Sequence, residues 1–337
     1  MRTLVFTDLD GTLLDEKYSW RGAKSALAEL RRLNVPLILC TSKTRAEVHE
    51  IRTALGNRDP YSVENGGLVV IPRGSPLAKV AGATGKRDLI FQLGKNYPDI
   101  LKTLESLAKS SGVPIRGFHQ MTTAELARDT GLTLRQARQA LQRESSEPFR
   151  FLNGSDRKIR HFVQLAKKRG YQVQRGGRFW HLSAGSDKGQ ALQFLAALYE
   201  MAWQSPIRVI AMGDAPNDLG MLANADIPIL LASSSGEFDP HVTATVPHVR
   251  RVSRKSPDAW SRAVLQAVRL SLAEEATKQS TKRISRPKLP SNARRCGRYG
   301  VWLKRVLNSR VKSWASHKPE AACGCAARIC SNSASFI

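Results

Sequence analysis

The sequence predicts an α/β fold in which a parallel-sheet core is interrupted by an inserted α+β domain. Short apolar runs alternate with amphipathic helical segments at both ends of the chain, which is typical of a parallel sheet. Polar residues follow directly where the apolar runs end, so a site at the strand ends is expected. The middle of the chain instead combines longer helical segments with short alternating runs. We therefore predict a core in 1–85 and 185–276, the inserted domain in 86–184, and a separate tail in 277–337.

The first core segment opens on a buried strand, Thr3–Thr7, followed by the run Asp8-Leu-Asp-Gly-Thr12. An amphipathic helix comes next, because apolar residues recur at helical spacing from Ala26 to Leu33. Asn34-Val-Pro36 ends that helix, and Pro36–Cys40 predicts a second buried strand, which leads into another helix. Glu64–Ile71 contains Asn-Gly-Gly before an apolar run, which predicts a hairpin.

The same periodicities predict the elements of the inserted domain and of the second core segment. In the inserted domain the predicted helices are Asp88–Gly94, Tyr97–Ser110 and Thr123–Gln142, and the predicted strands are Phe149–Leu152 and Tyr171–Gln174. In the second core segment they are helix Lys188–Trp203, strand Ile207–Met212, helix Leu219–Ala223, strand Ile227–Leu231 and helix Pro257–Ala276. An insertion at this place in a parallel-sheet domain can cover a site at the strand ends.

Charge is distributed unevenly along the 337 residues. Lys and Arg number 53 against 28 Asp and Glu, a net charge of +25, and 14 of the basic residues lie from Lys278 onward beside a single acid, Glu320. The basic excess of the body is therefore moderate, which weakens the inference of a nucleic-acid partner for the whole protein. The tail is low in apolar residues, so we expect it to be disordered. It could bind nucleic acid or an anionic surface, but we assign it no function.

Neither a membrane span nor a disulfide framework is predicted. The longest apolar runs have about the length of a strand, far below the roughly 18–20 residues of a membrane helix. Cys40 is the single cysteine of the body, and the other four lie in the tail without the paired spacing of a zinc site. The N-terminus lacks the apolar run of a signal peptide, so we expect a cytoplasmic protein, whose oligomeric state the sequence leaves open.

Asp8 and Asp10 are the first residues that indicate chemistry. They are two residues apart on an extended segment, so both carboxylates face the same side at the strand end, and Gly11 permits the turn that follows. Two carboxylates this close bind a hard cation such as Mg²⁺, and one can then act as nucleophile while the other acts as acid and base. The alternative is a capped turn before the helix, in which the pair has no chemical role.

Four short motifs resemble, in the same order, those of the haloacid dehalogenase (HAD) phosphatases. The first is Asp8-Leu-Asp-Gly-Thr12, and the second is Thr41 after the second strand, where Ser42 could provide the hydroxyl instead. The third is Lys188 within Asp-Lys-Gly, and the fourth is Gly213-Asp-Ala-Pro-Asn-Asp218. A single Asp-Lys-Gly is equally a helix start with a solvated lysine, but four motifs in order indicate the family.

The resemblance implies hydrolysis of phosphomonoesters through an aspartyl-phosphate. Asp8 would attack phosphorus in line, and Asp10 would protonate the leaving oxygen and then activate water. Lys188 and Thr41 would neutralise the phosphoryl charge. The implied Mg²⁺ site consists of four carboxylates, those of Asp8, Asp10, Asp214 and Asp218. Asn217 would orient water, the metal or Lys188, and we count it with the substrate-binding residues. Family membership leaves a phosphomutase or phosphotransferase open.

The inserted domain narrows the resemblance to the Cof-like branch of this family, in which an α+β cap covers an HAD-like Rossmannoid core. Five segments are similar to those of mannosyl-3-phosphoglycerate phosphatases, namely 41–47, 131–133, 143–148, 177–182 and 256–260. The likeness spans about residues 1–275 and implies that mannosyl-3-phosphoglycerate is hydrolysed to mannosylglycerate and phosphate. A glucosyl-3-phosphoglycerate phosphatase or a broader sugar-phosphate phosphatase is the alternative.

Six residues are candidates for contact with an anionic, sugar-bearing substrate, since charged and polar groups suit it. They are Ser42, Lys43, Arg143, Glu144, Arg178 and His181. Arg143 and Glu144 could instead form a salt bridge or be helix-end charges, and His181 could be a structural histidine. His119 and His161 show no metal-ligand spacing and are predicted to lie on the surface. The expected partner is a small phosphorylated molecule.

Residues 121–141 resemble a helix-turn-helix in isolation, with Gly131 at the turn and Arg135 and Arg138 on the second helix. DNA binding is the alternative function that this segment suggests. We favour cap helices, because the segment runs directly into 143–148 and phosphoglycerate phosphatases show a similar segment. We therefore do not expect nucleic acid as a partner.

Overall fold

The computed structural model describes residues 1–82, 87–175, 179–233, 235–253 and 256–284, with side chains up to residue 275. The tail beyond residue 284 and the candidate substrate residue Arg178 lie outside the described residues. The last helix continues to Ile284 and therefore extends into the predicted tail. None of the helices in these ranges is long and apolar enough to cross a membrane.

The strands are β1 (Arg2–Thr7), β2 (Leu37–Cys40), β3 (Tyr61–Val63), β4 (Leu68–Ile71), β5 (Leu89–Gln92), β6 (Ile115–Gly117), β7 (Ser146–Phe151), β8 (Tyr171–Arg175), β9 (Trp180–Ala184), β10 (Ile207–Gly213), β11 (Ile227–Leu231) and β12 (Arg250–Val252). The helices are α1 (Lys24–Arg32), α2 (Arg45–Leu55), α3 (Leu77–Val80), α4 (Tyr97–Ser111), α5 (Thr123–Thr130), α6 (Leu134–Ala140), α7 (Asp156–Lys168), α8 (Lys188–Trp203), α9 (Leu219–Ala223), α10 (Pro240–Thr245) and α11 (Pro257–Ile284).

The core contains an eight-stranded sheet in the order β12-β11-β10-β1-β2-β3-β4-β5. β1 pairs in parallel with β10 on one side and with β2 on the other. β4 runs antiparallel to both of its neighbours, β3 and β5. The predicted α/β fold with a mostly parallel sheet is therefore confirmed, and so is the hairpin predicted over Glu64–Ile71.

The helix predicted over Asp88–Gly94 is wrong. This segment forms β5, which pairs with β4, and the ring of Phe91 packs against Phe194 of α8 with centroids 5.0 Å apart. The open edge of β4 offers hydrogen-bond partners to a segment that is too short for a stable helix. The core sheet thus reaches Gln92, and the cap, which we define as the chain from α4 to β9, begins later than residue 86.

The cap has its own antiparallel sheet in the order β6-β7-β9-β8. Helices α4 and α7 cover one face and bury Phe149, Phe162 and Leu182 there. The single helix predicted over Thr123–Gln142 is wrong, because two helices occupy this segment. Gly131 ends α5 in the left-handed conformation, and the Thr133 hydroxyl caps α6.

The second helix of the apparent helix-turn-helix, α6, packs against α2 of the core. Arg135 Nε donates to Glu50 Oε1 at 3.0 Å, and Gln139 Nε2 donates to the same oxygen. The Thr44 hydroxyl donates to the carbonyl of Gln139 at 2.9 Å. These contacts place α6 at the interface of the cap with the core. A helix held there is poorly placed to enter the major groove of DNA.

β1 separates two apolar layers of the core. Phe6 faces the layer that contains α8, whereas Val5 faces the layer of α1 and α11. Trp260 of α11 is fully buried, and its Nε1 donates to the Thr7 hydroxyl at 2.9 Å. The end of β1, from which the chain continues to Asp8, is therefore fixed by packing and by a buried hydrogen bond.

Candidate active site

The candidate residues meet at one edge of the core sheet. Asp8 follows β1, Thr41 follows β2 and Asp214 follows β10, and these three strands are neighbours in the sheet. Because the strands are parallel, their carboxyl ends lie side by side. The fold thus brings residues from three separate segments to the place where the sequence predicts a site.

Lys188 is the centre of this group. It is the first residue of α8 and has no exposed surface, and its Nζ donates to Asp8 Oδ1 at 2.7 Å and to Asp218 Oδ1 at 2.6 Å. Burial lowers the pKa of Lys188, but the charges of Asp218 and Asp8 together raise it by more, so the net shift of the pKa is upward. The lysine is therefore a fixed cation between two carboxylates, and the interpretation as a solvated helix start is wrong.

The carboxylates around Lys188 repel one another. Burial raises the pKa of Asp8 well above its ordinary value, and Asp218, Asp214 and Asp10 raise it as well, while Lys188 alone lowers it. Asp8, Asp214 and Asp218 can each place one oxygen within 4.8 Å of the others. A divalent cation would relieve this repulsion.

Asp10 adds a second indication of a cation. Its Oδ1 is buried, and no hydrogen-bond donor reaches it within the part of the chain that the structure describes. A buried oxygen without a donor is costly unless an ion or water satisfies it. The donor set is all oxygen, which is what Mg²⁺ and similar hard cations prefer, so the residues fit a divalent metal.

The loop after β10 is held by Asp218 and Asn217. Asp218 Oδ2 accepts hydrogen bonds from the backbone N–H groups of Asp214 at 3.0 Å and Ala215 at 3.1 Å. Asn217 Nδ2 donates to Asn65 Oδ1 at 3.0 Å. The sequence alone does not identify Asn65 as a site residue, because Asn-Gly-Gly in this position indicates only a hairpin.

Lys43 lies beside Asp10 at the other side of the site. Its Nζ is 2.9 Å from Asp10 Oδ2, 3.9 Å from Glu47 Oε1 and 4.6 Å from the centre of the Tyr18 ring. Burial lowers the pKa of Lys43, but Asp10, Glu47 and Tyr18 raise it, with a net upward shift. Its backbone N–H donates to the hydroxyl of Thr41, which is fully buried. The loop after β2 thus presents a hydroxyl and a cation to one site.

Arg143 and Glu144 connect the cap to the core. Arg143 Nη1 donates to the carbonyl of Ser42 at 2.9 Å. Glu144 accepts two hydrogen bonds from Arg45, at 2.9 Å and 3.2 Å. Glu144 is therefore in a salt bridge, but with Arg45 of the core, whereas the sequence alternative was a bridge made by Arg143 and Glu144. Arg143 instead contacts the loop of Thr41 and Ser42.

His181 lies on the face of the cap sheet opposite Leu182, which packs in the cap interior. Its Nδ1 is buried and has no hydrogen-bond partner among the described residues. Burial, together with the charges of Arg143 and Lys188, lowers the pKa of His181 to about 3. The ring is therefore neutral at ordinary pH and is near the cations of the site.

Replacing His181 by glutamine is expected to make the protein less sensitive to acid. Between pH 6.5 and about 3 the unfolded chain binds a proton on this histidine that the native state does not bind. His181 should therefore lower the free energy of unfolding by about 1.4 kcal/mol for each pH unit in that window as the pH falls. Urea unfolding from pH 7 to pH 4 measures the slope. His161→Gln, at an exposed position, is the control, and equal slopes for the parent and H181Q would contradict the assignment.

His119 corrects a further prediction, because its side chain is mostly buried rather than free on the surface. Its Nδ1 is 2.7 Å from Oε1 of Glu147, which is fully buried, and Tyr97 donates its hydroxyl to Oε2 of Glu147 at 2.7 Å. The three residues are far apart in sequence, so spacing could not reveal the network. His161 is exposed as predicted.

A cavity of about 280 Å³ lies next to Lys43. Core residues Tyr18, Trp20 and Glu47 line it together with Gln136 and Gln139 of α6. It is therefore formed jointly by the core and the cap, and it is connected to Asp10 through the lining residue Lys43. Aromatic and polar side chains in one cavity suit a ligand with both apolar and hydroxyl faces.

Several known proteins are similar to this chain in sequence. A family model described as haloacid dehalogenase-like hydrolase matches residues 5–100 and 150–251. The glucosyl-3-phosphoglycerate/mannosyl-3-phosphoglycerate phosphatase of Methanococcoides burtonii is 35% identical over 271 residues, which cover 80% of this chain and 98% of the relative. A protein of the same name from Persephonella marina is 33% identical over 263 residues, which cover 77% and 95%.

Solved structures show the same fold. A haloacid dehalogenase-like hydrolase from Bacteroides thetaiotaomicron has a TM-score of 0.52 at 16% identity and covers 78% of this chain and 100% of that one. A sugar phosphatase of HAD subclass IIB has a TM-score of 0.54 at 16% identity and covers 79% and 98%. At such identities the likeness concerns the fold alone. The matched family and the two relatives together show that the chain belongs to the haloacid dehalogenase-like hydrolases, as a phosphatase related to glucosyl-3-phosphoglycerate/mannosyl-3-phosphoglycerate phosphatases.

Proposed function

We propose that the protein hydrolyses mannosyl-3-phosphoglycerate to mannosylglycerate and phosphate. The observation that carries the phosphoryl chemistry is the buried Lys188, which joins Asp8 to Asp218 beside a carboxylate cluster. The names of the two relatives support the substrate and place glucosyl-3-phosphoglycerate beside it as the second candidate. A broader sugar-phosphate phosphatase is the third.

At the phosphate end, Asp8 attacks phosphorus in line and forms an aspartyl-phosphate as the leaving oxygen departs. Lys188 and the Thr41 hydroxyl, or that of Ser42, bind the phosphoryl oxygens, and Asn217 is oriented by Asn65 toward the same loop. Asp8, Asp10, Asp214 and Asp218 are the residues that would hold Mg²⁺, which supplies positive charge to the phosphoryl oxygens.

Asp10 is the acid and base of the proposed reaction. It lies two residues after Asp8, and its Oδ2 contacts Lys43 on the side of the cavity. It protonates the alkoxide that leaves and then takes a proton from the water that opens the aspartyl-phosphate. The leaving group therefore departs toward Lys43 and the cavity.

The chemistry of that cavity suits a glycosylglycerate as leaving group. Lys43 is a buried cation that can bind a carboxylate such as that of glycerate. Tyr18 and Trp20 offer aromatic surface, and Gln136 and Gln139 offer amides to sugar hydroxyls. Arg143 and His181 lie at the cap side of the site. Together with Ser42 and Glu144 they are candidates for positioning the substrate. Arg178 stays a prediction from the sequence.

A substrate panel tests the proposal. Phosphate release is measured from mannosyl-3-phosphoglycerate, glucosyl-3-phosphoglycerate and hexose 6-phosphates, each with and without Mg²⁺. We expect kcat/KM for one or both glycosyl-3-phosphoglycerates to exceed that for the hexose phosphates by at least about 100-fold, because only the former carry a glycerate carboxylate that Lys43 can bind in addition to Asp10 and Glu47. Chelation of the metal should abolish all turnover. Comparable rates on the three classes would contradict the narrow substrate.

A further inference from the structure

The turn between β3 and β4 has an unusual backbone. Glu64 and Asn65 have φ values of 52° and 55°, in the left-handed region that residues other than glycine rarely adopt. Gly66 follows with a φ of 91°. Two consecutive non-glycine residues in this region cost free energy, which the surroundings must offset. Such strain is a reason to ask what the turn does.

The Glu64 side chain is fully buried and binds the cap. Its Oε1 accepts from the backbone N–H of Glu144 at 2.8 Å, and its Oε2 accepts from the N–H of Ser145 at 3.0 Å and from the Ser146 hydroxyl at 2.9 Å. All three donors belong to residues 144–146, the segment that enters β7 of the cap. One carboxylate of the core thus holds three consecutive residues of the cap.

The same turn binds three catalytic segments of the core. The N–H groups of Glu64 and Asn65 donate to the carbonyls of Lys43 at 3.0 Å and Thr41 at 2.9 Å. The Asn65 side chain accepts from Asn217. Gly66 packs so closely on the backbone before Lys188 that a Cβ atom there would lie 2.1 Å from the Asp187 carbonyl oxygen. No side chain other than hydrogen fits at that position.

We propose that Glu64 is a positioning residue that couples closure of the cap to assembly of the catalytic loops. When the cap is closed, three donors from residues 144–146 satisfy the buried carboxylate and hold the strained turn in place. The same turn positions the loop of Thr41 and Lys43 and the side chain of Asn217 through its hydrogen bonds. When the cap opens, Glu64 loses its donors, and the turn can relax away from the reactive geometry. The proposal rests on the phosphatase chemistry proposed above, but not on the identity of the leaving group.

Kinetics of Glu64→Gln and Ser146→Ala test the coupling. Glutamine keeps the length of Glu64 but points an amide N–H₂ at one of the three donors. S146A removes one donor to Glu64 and also the acceptor of a 3.4 Å hydrogen bond from Arg143 Nη1, so the double variant is needed to isolate the contact with Glu64. We expect kcat to fall about 10- to 100-fold in E64Q and about threefold in S146A, since small displacements of reacting groups have effects of this size. Ser111→Ala removes a buried cap hydroxyl that bonds only within α4, so it is the matched control and should keep the parent kcat.

The double variant and hydrogen exchange separate coupling from a loss of stability. If Ser146 acts through Glu64, S146A should change kcat less than twofold in the E64Q background. The amide protons of Glu144 and Ser145 should exchange faster in both single variants than in the parent. An unchanged kcat in E64Q, multiplicative effects of the two changes, or parent-like exchange at these amides would overturn the proposal. S146A alone, with kcat and exchange measured, keeps the test decisive if E64Q does not fold.

The assays use p-nitrophenyl phosphate beside the two glycosyl-3-phosphoglycerates. A fall in p-nitrophenyl phosphate turnover on breaking the contact supports the coupling whatever the natural leaving group is. If the parent hydrolyses p-nitrophenyl phosphate but neither glycosyl-3-phosphoglycerate, the proposed substrate is wrong while the role of Glu64 is still measured.

Discussion

Replacing Asp8 by asparagine is expected to lower kcat by at least about 10⁴-fold, because an amide cannot form the bond to phosphorus. The fold should survive, since Lys188 keeps Asp218 as a partner and the shape of the side chain is unchanged. Phosphate release measures the activity, and thermal unfolding measures the stability.

A matched change shows whether the loss is specific to Asp8. Asp15 follows in the same loop and accepts hydrogen bonds from the backbone N–H groups of Lys17 and Ser19 through Oδ1, which asparagine also provides. Asp15→Asn should therefore keep most of the parent activity. If purified, folded D8N still releases phosphate at the parent rate, Asp8 is not the nucleophile.

Replacing Lys188 by methionine is expected to damage both activity and stability. The side chain has no exposed surface and is the cation that Asp8 and Asp218 share. Its removal leaves two buried carboxylates without that partner, which should cost about 3–5 kcal/mol in the free energy of unfolding. The kcat should fall by about 10³-fold, because no fixed cation then neutralises the phosphoryl charge.

Urea unfolding with and without Mg²⁺ distinguishes this cause from a packing defect. The metal should stabilise K188M more than the parent, since the variant carries the larger uncompensated negative charge. Lys167→Met, at an exposed position of α7, is the control and should change stability by no more than about 0.5 kcal/mol. Parent-like stability of K188M would mean that the carboxylates do not need the lysine charge.

The site at the strand ends could be predicted because its residues are next to strong strand signals. Asp8 and Asp10 follow the apolar run of β1, and Asp214 follows that of β10. Parallel pairing of neighbouring strands then brings them together. Lys188 required the family resemblance, since its partners Asp8 and Asp218 are 180 and 30 residues away and nothing local separates it from a solvated lysine.

The connection between core and cap could not be predicted from sequence. Glu64 adopts a positive φ that glutamate does not favour, and the Ser145 N–H that it binds is 81 residues away. The ion pair of Glu144 with Arg45 likewise depends on how the cap docks. Local sequence specifies helices and strands, whereas these contacts arise only from the packing of two domains.

Trapping the covalent intermediate tests the central claim most directly. The purified enzyme is mixed with substrate labelled in the phosphate group and quenched with acid within one turnover. Protein-bound label is then counted before and after treatment with hydroxylamine, which cleaves acyl phosphates. The proposed mechanism predicts label on the parent protein that hydroxylamine releases, and none on D8N. Turnover without any protein-bound label, or equal labelling of D8N, would contradict nucleophilic attack by Asp8.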